Sequence, residues 1–117
     1  ESRTQLYESI SLKVLDPVIE AGHTLTYHMI GIKHTDKTAI VHRKLVPYDD
    51  PDRGIIDISP PVAGTFPRGE INVKLEMRVP STTIPGMWKL RMVREYPIRG
   101  RESQKITIDS NWFKVIR

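Results

Sequence analysis

The residues most able to do chemistry are cations in the second half of the chain. Residues 65–117 carry 11 Lys and Arg against 5 Asp and Glu, whereas residues 1–64 carry 7 against 9. A basic surface attracts acidic partners such as nucleic acid or anionic glycan, and its phosphate contacts weaken with salt. If the fifth and sixth strands are neighbours, their outward cations and those around the final hairpin would form one such surface; the hairpin residues are Arg91, Arg94, Arg99, Arg101 and Lys105. The alternative, which we favour, is a solvated face in which Glu76, Glu95 and Glu102 lie between the cations.

Histidines are the second group with possible ligand chemistry. All four imidazoles lie within the first 42 residues, and their spacing fits no helical metal-binding motif. His28 and His42 fall on successive predicted strands, so they would face each other if those strands were neighbours, and copper or zinc would be the expected ion. We favour ordinary surface or turn histidines over this metal site, and we expect no bound cofactor.

Motifs for nucleophilic, phosphoryl-transfer or zinc-dependent catalysis are missing. The sequence contains no Cys, no Gly-x-Ser-x-Gly, no glycine-rich phosphate loop and no His-Glu-x-x-His. Without Cys, disulfides and thiolate metal sites are also excluded. We therefore expect a protein that is not an enzyme.

The elements that must position these residues are β-strands, because apolar residues recur with a period of two. The clearest run is Ile71, Val73, Leu75, Met77 and Val79, and polar residues occupy every position between them. This alternation is typical of a strand with one buried face. Six other segments show it, and the nine prolines fall almost wholly in the turns between segments. The sequence therefore predicts seven strands.

Two breaks in the alternation predict β-bulges. One lies where Met29 gives way to Ile30, and the other where Ile108 gives way to Trp112, while Trp88 stays in phase with a buried face. Seven antiparallel strands need two packed sheets to cover their apolar faces. The expected fold is all-β, a two-sheet antiparallel sandwich of about seven strands that forms a single domain over residues 1–117.

Four segments carry a resemblance to immunoglobulin-like and fibronectin type III-like domains. They are the opening strand Ser9–Val14, the turn Glu20–Gly22, the entry Pro85–Leu90 into the sixth strand, and the final Trp112–Val115. The resemblance implies an immunoglobulin-like sandwich that serves as a binding or spacer module outside the cytoplasm, although the Cys, Trp and Cys core of antibody domains is absent. The short, basic, cysteine-free format is also similar to accessory or membrane-anchored proteins of bacteriophages.

Three functions stay open, and we favour a protein-interaction module that presents sandwich loops or an edge strand to a protein partner. Phe66, on the loop predicted from Pro60 to Glu70, is the expected anchor, because aromatic residues often dominate interface energy. An equal alternative is that Phe66 plugs the open end of the core. The other functions are an anionic-polymer binder, acting through the basic second half, and a copper- or zinc-binding sandwich.

The sequence also bears on location. No apolar run is long enough to cross a bilayer, so we expect no membrane span in this chain. The resemblance favours an extracytoplasmic location in the periplasm, at the cell surface or in a virion.

Overall fold

The computed structural model describes residues 5–48, 54–100 and 102–117. The strands within these ranges are β1 Tyr7–Val14, β2 Val18–Glu20, β3 Thr24–Lys33, β4 Ala39–Pro47, β5 Ile56–Gly64, β6 Gly69–Arg78, β7 Gly86–Tyr96 and β8 Gln104–Ile116. The all-β class is confirmed, with eight strands instead of seven, because β2 is too short to show an alternation. Helices long and apolar enough to cross a membrane do not occur in the described part of the chain.

The strands form two sheets. Sheet A has the order β1-β3-β6, and sheet B has the order β2-β8-β7-β4-β5. The pairs are antiparallel except for β2 and β8, which run parallel over three residues, so the expectation of a wholly antiparallel sandwich is wrong at this edge. The chain therefore passes from sheet A to sheet B between β1 and β2, along one side of the sandwich.

The inward faces of the two sheets share one apolar core. In β6 the predicted alternation is confirmed: Ile71 and Met77 are buried, Val73 and Leu75 pack half-buried against the core, and the residues between them are exposed. Trp88 on β7 is also buried, as predicted, and its indole N–H donates a hydrogen bond to the Ile84 carbonyl at 2.9 Å. The donor of this large ring is thus satisfied inside the core.

The bulge predicted before Trp112 is confirmed. Where β8 pairs with β7, β8 contains one extra residue, and Ser110 and Asn111 occupy the irregular stretch. The Asn111 side chain reaches sheet A, where its Oδ1 accepts a hydrogen bond from the Val14 amide at 2.8 Å and its Nδ2 donates to the Val14 carbonyl at 3.2 Å. The bulge therefore supplies a polar bridge between the two sheets.

The bulge predicted between Met29 and Ile30 is absent from β3, so this prediction is wrong. β3 pairs regularly with β6 through Met29 and Ile30, and the irregularity is in β1, between Ser9 and Ser11. The extra residue there, Ile10, points to solvent. The alternation of Ile10 with Leu12 and Val14 predicts that all three point inward. This prediction is wrong for Ile10, because the bulge reverses the phase of the strand.

Edge strands β5 and β6 flank the side of the sandwich opposite the passage from β1 to β2. β5 contains Pro60 and Pro61, and its pairing with β4 shifts register near these residues. Residues 60–64 therefore belong to a strand, and the loop expected from Pro60 to Glu70 is reduced to the few residues between β5 and β6. This short loop carries Phe66.

Candidate functional site

The cations expected to form one basic surface are divided between different environments. Arg99 and Lys105 are exposed, Arg91 is half-buried, and Arg101 lies outside the described residues. Arg94 is only 5% exposed and points into the sandwich, so its expected place on the surface is wrong. The preceding strand, β6, lies in sheet A, so its outward cations face away from those of β7.

Carboxylates neutralise part of the basic charge on the outer face of sheet B. Arg91 Nε and Lys89 Nζ both approach Asp109, at 2.7 Å and 2.9 Å, and Lys44 Nζ lies 3.2 Å from Asp57. The hydrogen bond from Arg91 is the main cause that lowers the pKa of Asp109, with a smaller contribution from Lys89 against the opposing effect of burial. This face is a mixed ion-pair network, in contrast to the expected cationic surface.

Asp109→Asn is expected to lower the free energy of unfolding by about 1 kcal/mol at neutral pH, since two half-exposed cations lose their counterion. The folded-state pKa of Asp109 is lowered, so its contribution is present above the unfolded-state pKa and is lost as the pH falls through the folded-state value. Urea unfolding at neutral pH and below about pH 3 measures this loss. Asp57→Asn, at a more exposed carboxylate, is the control, and an equal Asp109→Asn effect at both pH values contradicts the prediction.

His28 and His42 lie in different sheets. His28 Nε2 lies 2.5 Å from Asn72 Oδ1 on sheet A, whereas His42 Nε2 lies 3.1 Å from Glu95 Oε1 on sheet B. The condition for a shared metal site, that β3 and β4 are neighbours, is therefore not met. Among the residues in the described ranges, no group of three His, Asp or Glu could hold a metal ion.

A cavity lies between the two sheets, lined by residues of both. It has a volume of about 220 Å³ and lies where the edge strands β5 and β6 leave the core accessible. Its walls include Tyr27 and Leu75 from sheet A and Val41 and Met92 from sheet B, and Phe66 lines it from the loop after β5. Phe66 packs half-buried against the core, which agrees with the plug alternative for this residue.

Arg94 places a guanidinium group at this cavity. Its carbon lies 4.2 Å from the centre of the Tyr7 ring, and Nη2 lies 3.4 Å from Met29 Sδ. Nη1 is buried and has no hydrogen-bond partner among the residues that the structure describes. This atom lies beside Gly64, where a methyl group would come within 2.8 Å of it.

Lys33 is a second buried cation in the same region, and it is only 2% exposed. Its Nζ donates to the carbonyl oxygens of Phe66 at 2.6 Å and Gly64 at 3.4 Å. Burial is the main cause that lowers the pKa of Lys33, and the charge of Arg94 lowers it further. Within the described ranges, no carboxylate forms an ion pair with either cation.

The two-residue alternation of the sequence indicates that both of these cations are buried. Arg94 follows Met92 by two residues, in phase with the apolar face of β7, and Lys33 follows Met29 and Gly31 in the same way on β3. A charged residue is ordinarily expected to face water whatever its position in the alternation. Residue type therefore predicts a surface position for Arg94 and does not identify Lys33 as a buried cation. For these two residues, the place in the two-residue alternation predicts burial better than the residue type does.

A second candidate site is the apolar end surface, which we define as Tyr48, Ile84, Met87 and Trp112. These four side chains are between 37% and 68% exposed. The rings of Tyr48 and Trp112 meet edge to face, with centroids 4.9 Å apart. A groove of about 530 Å³ lies beside them, with Trp88 also in its lining. Tyr48, Ile84 and Met87 line this groove together and Trp112 contacts Tyr48, and neighbouring exposed apolar side chains are candidates for an interaction surface.

Comparisons with known proteins show similarity in fold. No protein-family model matches the sequence, and no curated protein sequence matches it. An alkylpurine DNA glycosylase of Pseudomonas fluorescens, solved bound to DNA containing an abasic site analog, superposes with a TM-score of 0.60 and 10% identity over 98% of this chain. The match spans 32% of the glycosylase, so this chain corresponds to about a third of that protein.

Two further solved structures resemble the chain over most of their own length. A Niemann-Pick type C2 protein from the Japanese carpenter ant superposes with a TM-score of 0.59 and 10% identity, covering 97% of this chain and 96% of that one. The CARDB domain of a Pyrococcus furiosus protein, solved with di-metal ions, has a TM-score of 0.44 and 12% identity, covering 94% and 87%. The superpositions with TM-scores of 0.60 and 0.59 support an all-β sandwich-like fold.

Proposed function

We propose that the protein is a non-enzymatic interaction module whose apolar end surface binds a protein partner. The observation that carries this proposal is the clustering of four exposed apolar side chains, two of them in an aromatic pair. Aromatic residues and Met are enriched at interface centres, where a few large side chains supply most of the binding energy. The immunoglobulin-like type of sandwich and an extracytoplasmic location are part of the same proposal.

The backbone around the apolar end surface is fixed by hydrogen bonds between strands. A partner that binds there therefore loses little free energy to ordering of this backbone. The Tyr48 amide donates a hydrogen bond to the Met87 carbonyl at 2.9 Å, which extends the pairing of β4 with β7 beyond the end of β4. Met87 pairs with Lys114 and Lys89 pairs with Trp112 in the ladder between β7 and β8. The surface is thus built mainly on paired strands.

The charge beside the apolar end surface indicates the chemistry of the partner. Lys89 Nζ lies 4.9 Å from the centre of the Trp112 ring, and Lys114 is exposed next to Met87. Among the residues that the structure describes, the carboxylate of Asp109 lies nearby, and it is shared by Lys89 and Arg91. Because interfaces match potentials of opposite sign, the partner is a protein segment with an apolar anchor flanked by acidic residues.

Photo-crosslinking tests the proposal. A benzophenone amino acid replaces Ile84 or, as a matched control, Ile10, an isoleucine that is also exposed but lies on β1 in sheet A. In extract from the organism that makes the protein, we expect one protein to crosslink at position 84 and not at position 10. Adding Met87→Glu and Trp112→Ala should abolish the product while the chain stays folded.

Three outcomes contradict the proposal. They are no crosslinked protein at position 84, equal crosslinking at positions 84 and 10, and a product that survives Met87→Glu with Trp112→Ala. Circular dichroism and urea unfolding of each variant distinguish loss of binding from loss of the fold.

Binding of an anionic polymer has less support than protein binding. The exposed cations Arg99 and Lys105 lie near the hairpin between β7 and β8, but Arg91 is paired with Asp109 and Arg94 is buried. The glycosylase that shares the fold is bound to DNA in its structure, yet 10% identity supports no transfer of that property. Steep salt-dependent retention on a heparin column would favour this alternative.

A further inference from the structure

We propose that the cavity between the sheets is a binding site for a small amphipathic carboxylate, whose headgroup pairs with Arg94 and whose alkyl chain lies along the apolar walls. This site lies on the side of the sandwich between β5 and β6 and is independent of the apolar end surface. The proposal rests on the charge, the shape and the lining of the cavity.

An anion bound in the cavity would stabilise the buried charge of Arg94. A buried charge is costly unless it is paired and hydrogen-bonded, and the described residues supply Arg94 with a ring face and a thioether but no carboxylate. Lys33 differs from Arg94 in this respect, because two carbonyl oxygens accept hydrogen bonds from its ammonium group. Nη1 of Arg94 is a buried donor without a hydrogen-bond partner among the described residues, and a small shift of the guanidinium toward the cavity that it lines would present this donor to a ligand oxygen.

Hydroxyl groups near Arg94 offer further hydrogen bonds but no negative charge. The Tyr96 hydroxyl is buried and also lacks a hydrogen-bond partner among the described residues. Burial raises the pKa of Tyr7 and of Tyr96, and the charge of Arg94 only partly opposes this rise. Both phenols are therefore neutral at physiological pH and do not compensate the guanidinium.

The lining of the cavity suits a short apolar chain. Beyond Arg94 it consists mainly of aliphatic, aromatic and thioether side chains, including Tyr27, Val41, Leu75 and Met92. A volume of about 220 Å³ holds roughly seven groups of the size of a water molecule or a methylene, at about 30 Å³ each. Counting the carboxylate group, this volume holds an alkyl carboxylate of about six carbons, and the end of a longer chain reaches the entrance.

Gly64 and Phe66 define the entrance of the site. Because Gly64 has no side chain, Arg94 Nη1 can lie close to the β5 backbone at the cavity. Phe66 is half-buried on the short loop after β5, and its carbonyl is tied to Lys33. The chain end of a ligand would emerge between Phe66 and the exposed Val62, which also lines the cavity.

The test uses octanoate as the probe and the intact protein. Titration calorimetry and amide NMR shifts should show one bound octanoate per chain, with shifts at cavity residues such as Leu75. The neutral analogue 1-octanol should bind about tenfold more weakly or worse, because it forms no charge-assisted pair with Arg94. From butanoate to octanoate, affinity should rise by about fourfold per methylene and then level off once the cavity is filled.

Two variants assign the site. Arg94→Met should weaken octanoate binding by about tenfold or more and remove the preference over 1-octanol, while the exposed Arg99→Met leaves both unchanged. Without ligand, Arg94→Met should melt at the same or a higher temperature than the wild type, because an unpaired buried charge is removed. Val62→Trp, which narrows the cavity at a lining residue and keeps the charge of Arg94, should also weaken binding, and it provides the test if Arg94→Met does not fold.

Several outcomes overturn the proposal. They are no octanoate binding, equal affinity for octanoate and 1-octanol, unchanged binding in Arg94→Met or Val62→Trp, and amide shifts confined to residues away from the cavity. Inorganic phosphate that binds as tightly as octanoate would show a site for anions in general and would also overturn it.

Discussion

Replacing Trp88 with Ala is expected to lower the free energy of unfolding by about 3–5 kcal/mol. The side chain is 5% exposed in the core, and it pairs with Phe113 across β7 and β8. Its removal leaves a large void and orphans the Ile84 carbonyl, which now accepts the indole N–H. Such a loss is a large part of the roughly 5–15 kcal/mol available to a domain of this size, so the midpoint of urea unfolding should fall markedly.

Trp112→Ala is the matched control for Trp88→Ala. Trp112 is 37% exposed and touches Tyr48 and Lys89 at the surface, so we expect a loss of about 1 kcal/mol or less. The two tryptophans thus separate stability from partner binding, since only Trp112 belongs to the apolar end surface. Equal unfolding midpoints for the two variants would contradict the placement of Trp88 in the core.

Gly31→Ala is expected to lower the free energy of unfolding by about 1–3 kcal/mol, as overpacking of a filled core does. A methyl group at Gly31 would collide with the hydroxyl of Tyr7, and it would lie 2.8 Å from the Glu8 carbonyl. Tyr7 is almost fully buried, so its ring has little room to move. Urea unfolding measures the loss, and Thr24→Ala, at an exposed position on the same strand, is the control.

A second background tests the cause of the Gly31 effect. In Tyr7→Leu the ring is gone, so Gly31→Ala should cost less there than in the wild type, and the difference is the coupling between the two positions. The same loss in both backgrounds would show that Tyr7 is not the obstacle.

Alternation in the sequence predicted the fold class and much of the core. The clearest case is β6, where polar and apolar residues alternate without interruption from Ile71 to Val79. The alternation predicted the structure less well where the choice of neighbouring strand determines it. The three residues of β2 show no pattern, and their parallel pairing with β8 depends on the passage of the chain between sheets.

The candidate sites were harder to predict because they depend on which strands become neighbours. His28 and His42 are separated by the core only because β3 and β4 enter different sheets, and the same division moves the cations of β6 away from β7. Arg94 illustrates a different reason. Its phase on β7 indicated an inward position, but the cavity that surrounds it arises from both sheets together.

The two prolines of β5 bear on self-association as well as on local pairing. An edge strand with free amide donors is a template on which strands of other molecules add, and this is a route to fibrils. Pro60 and Pro61 have no amide hydrogen, and the register shift beside them disturbs the regular spacing of the ladder. Strands of other molecules are consequently expected to pair poorly with this edge of sheet B, even though β5 is the outermost strand there.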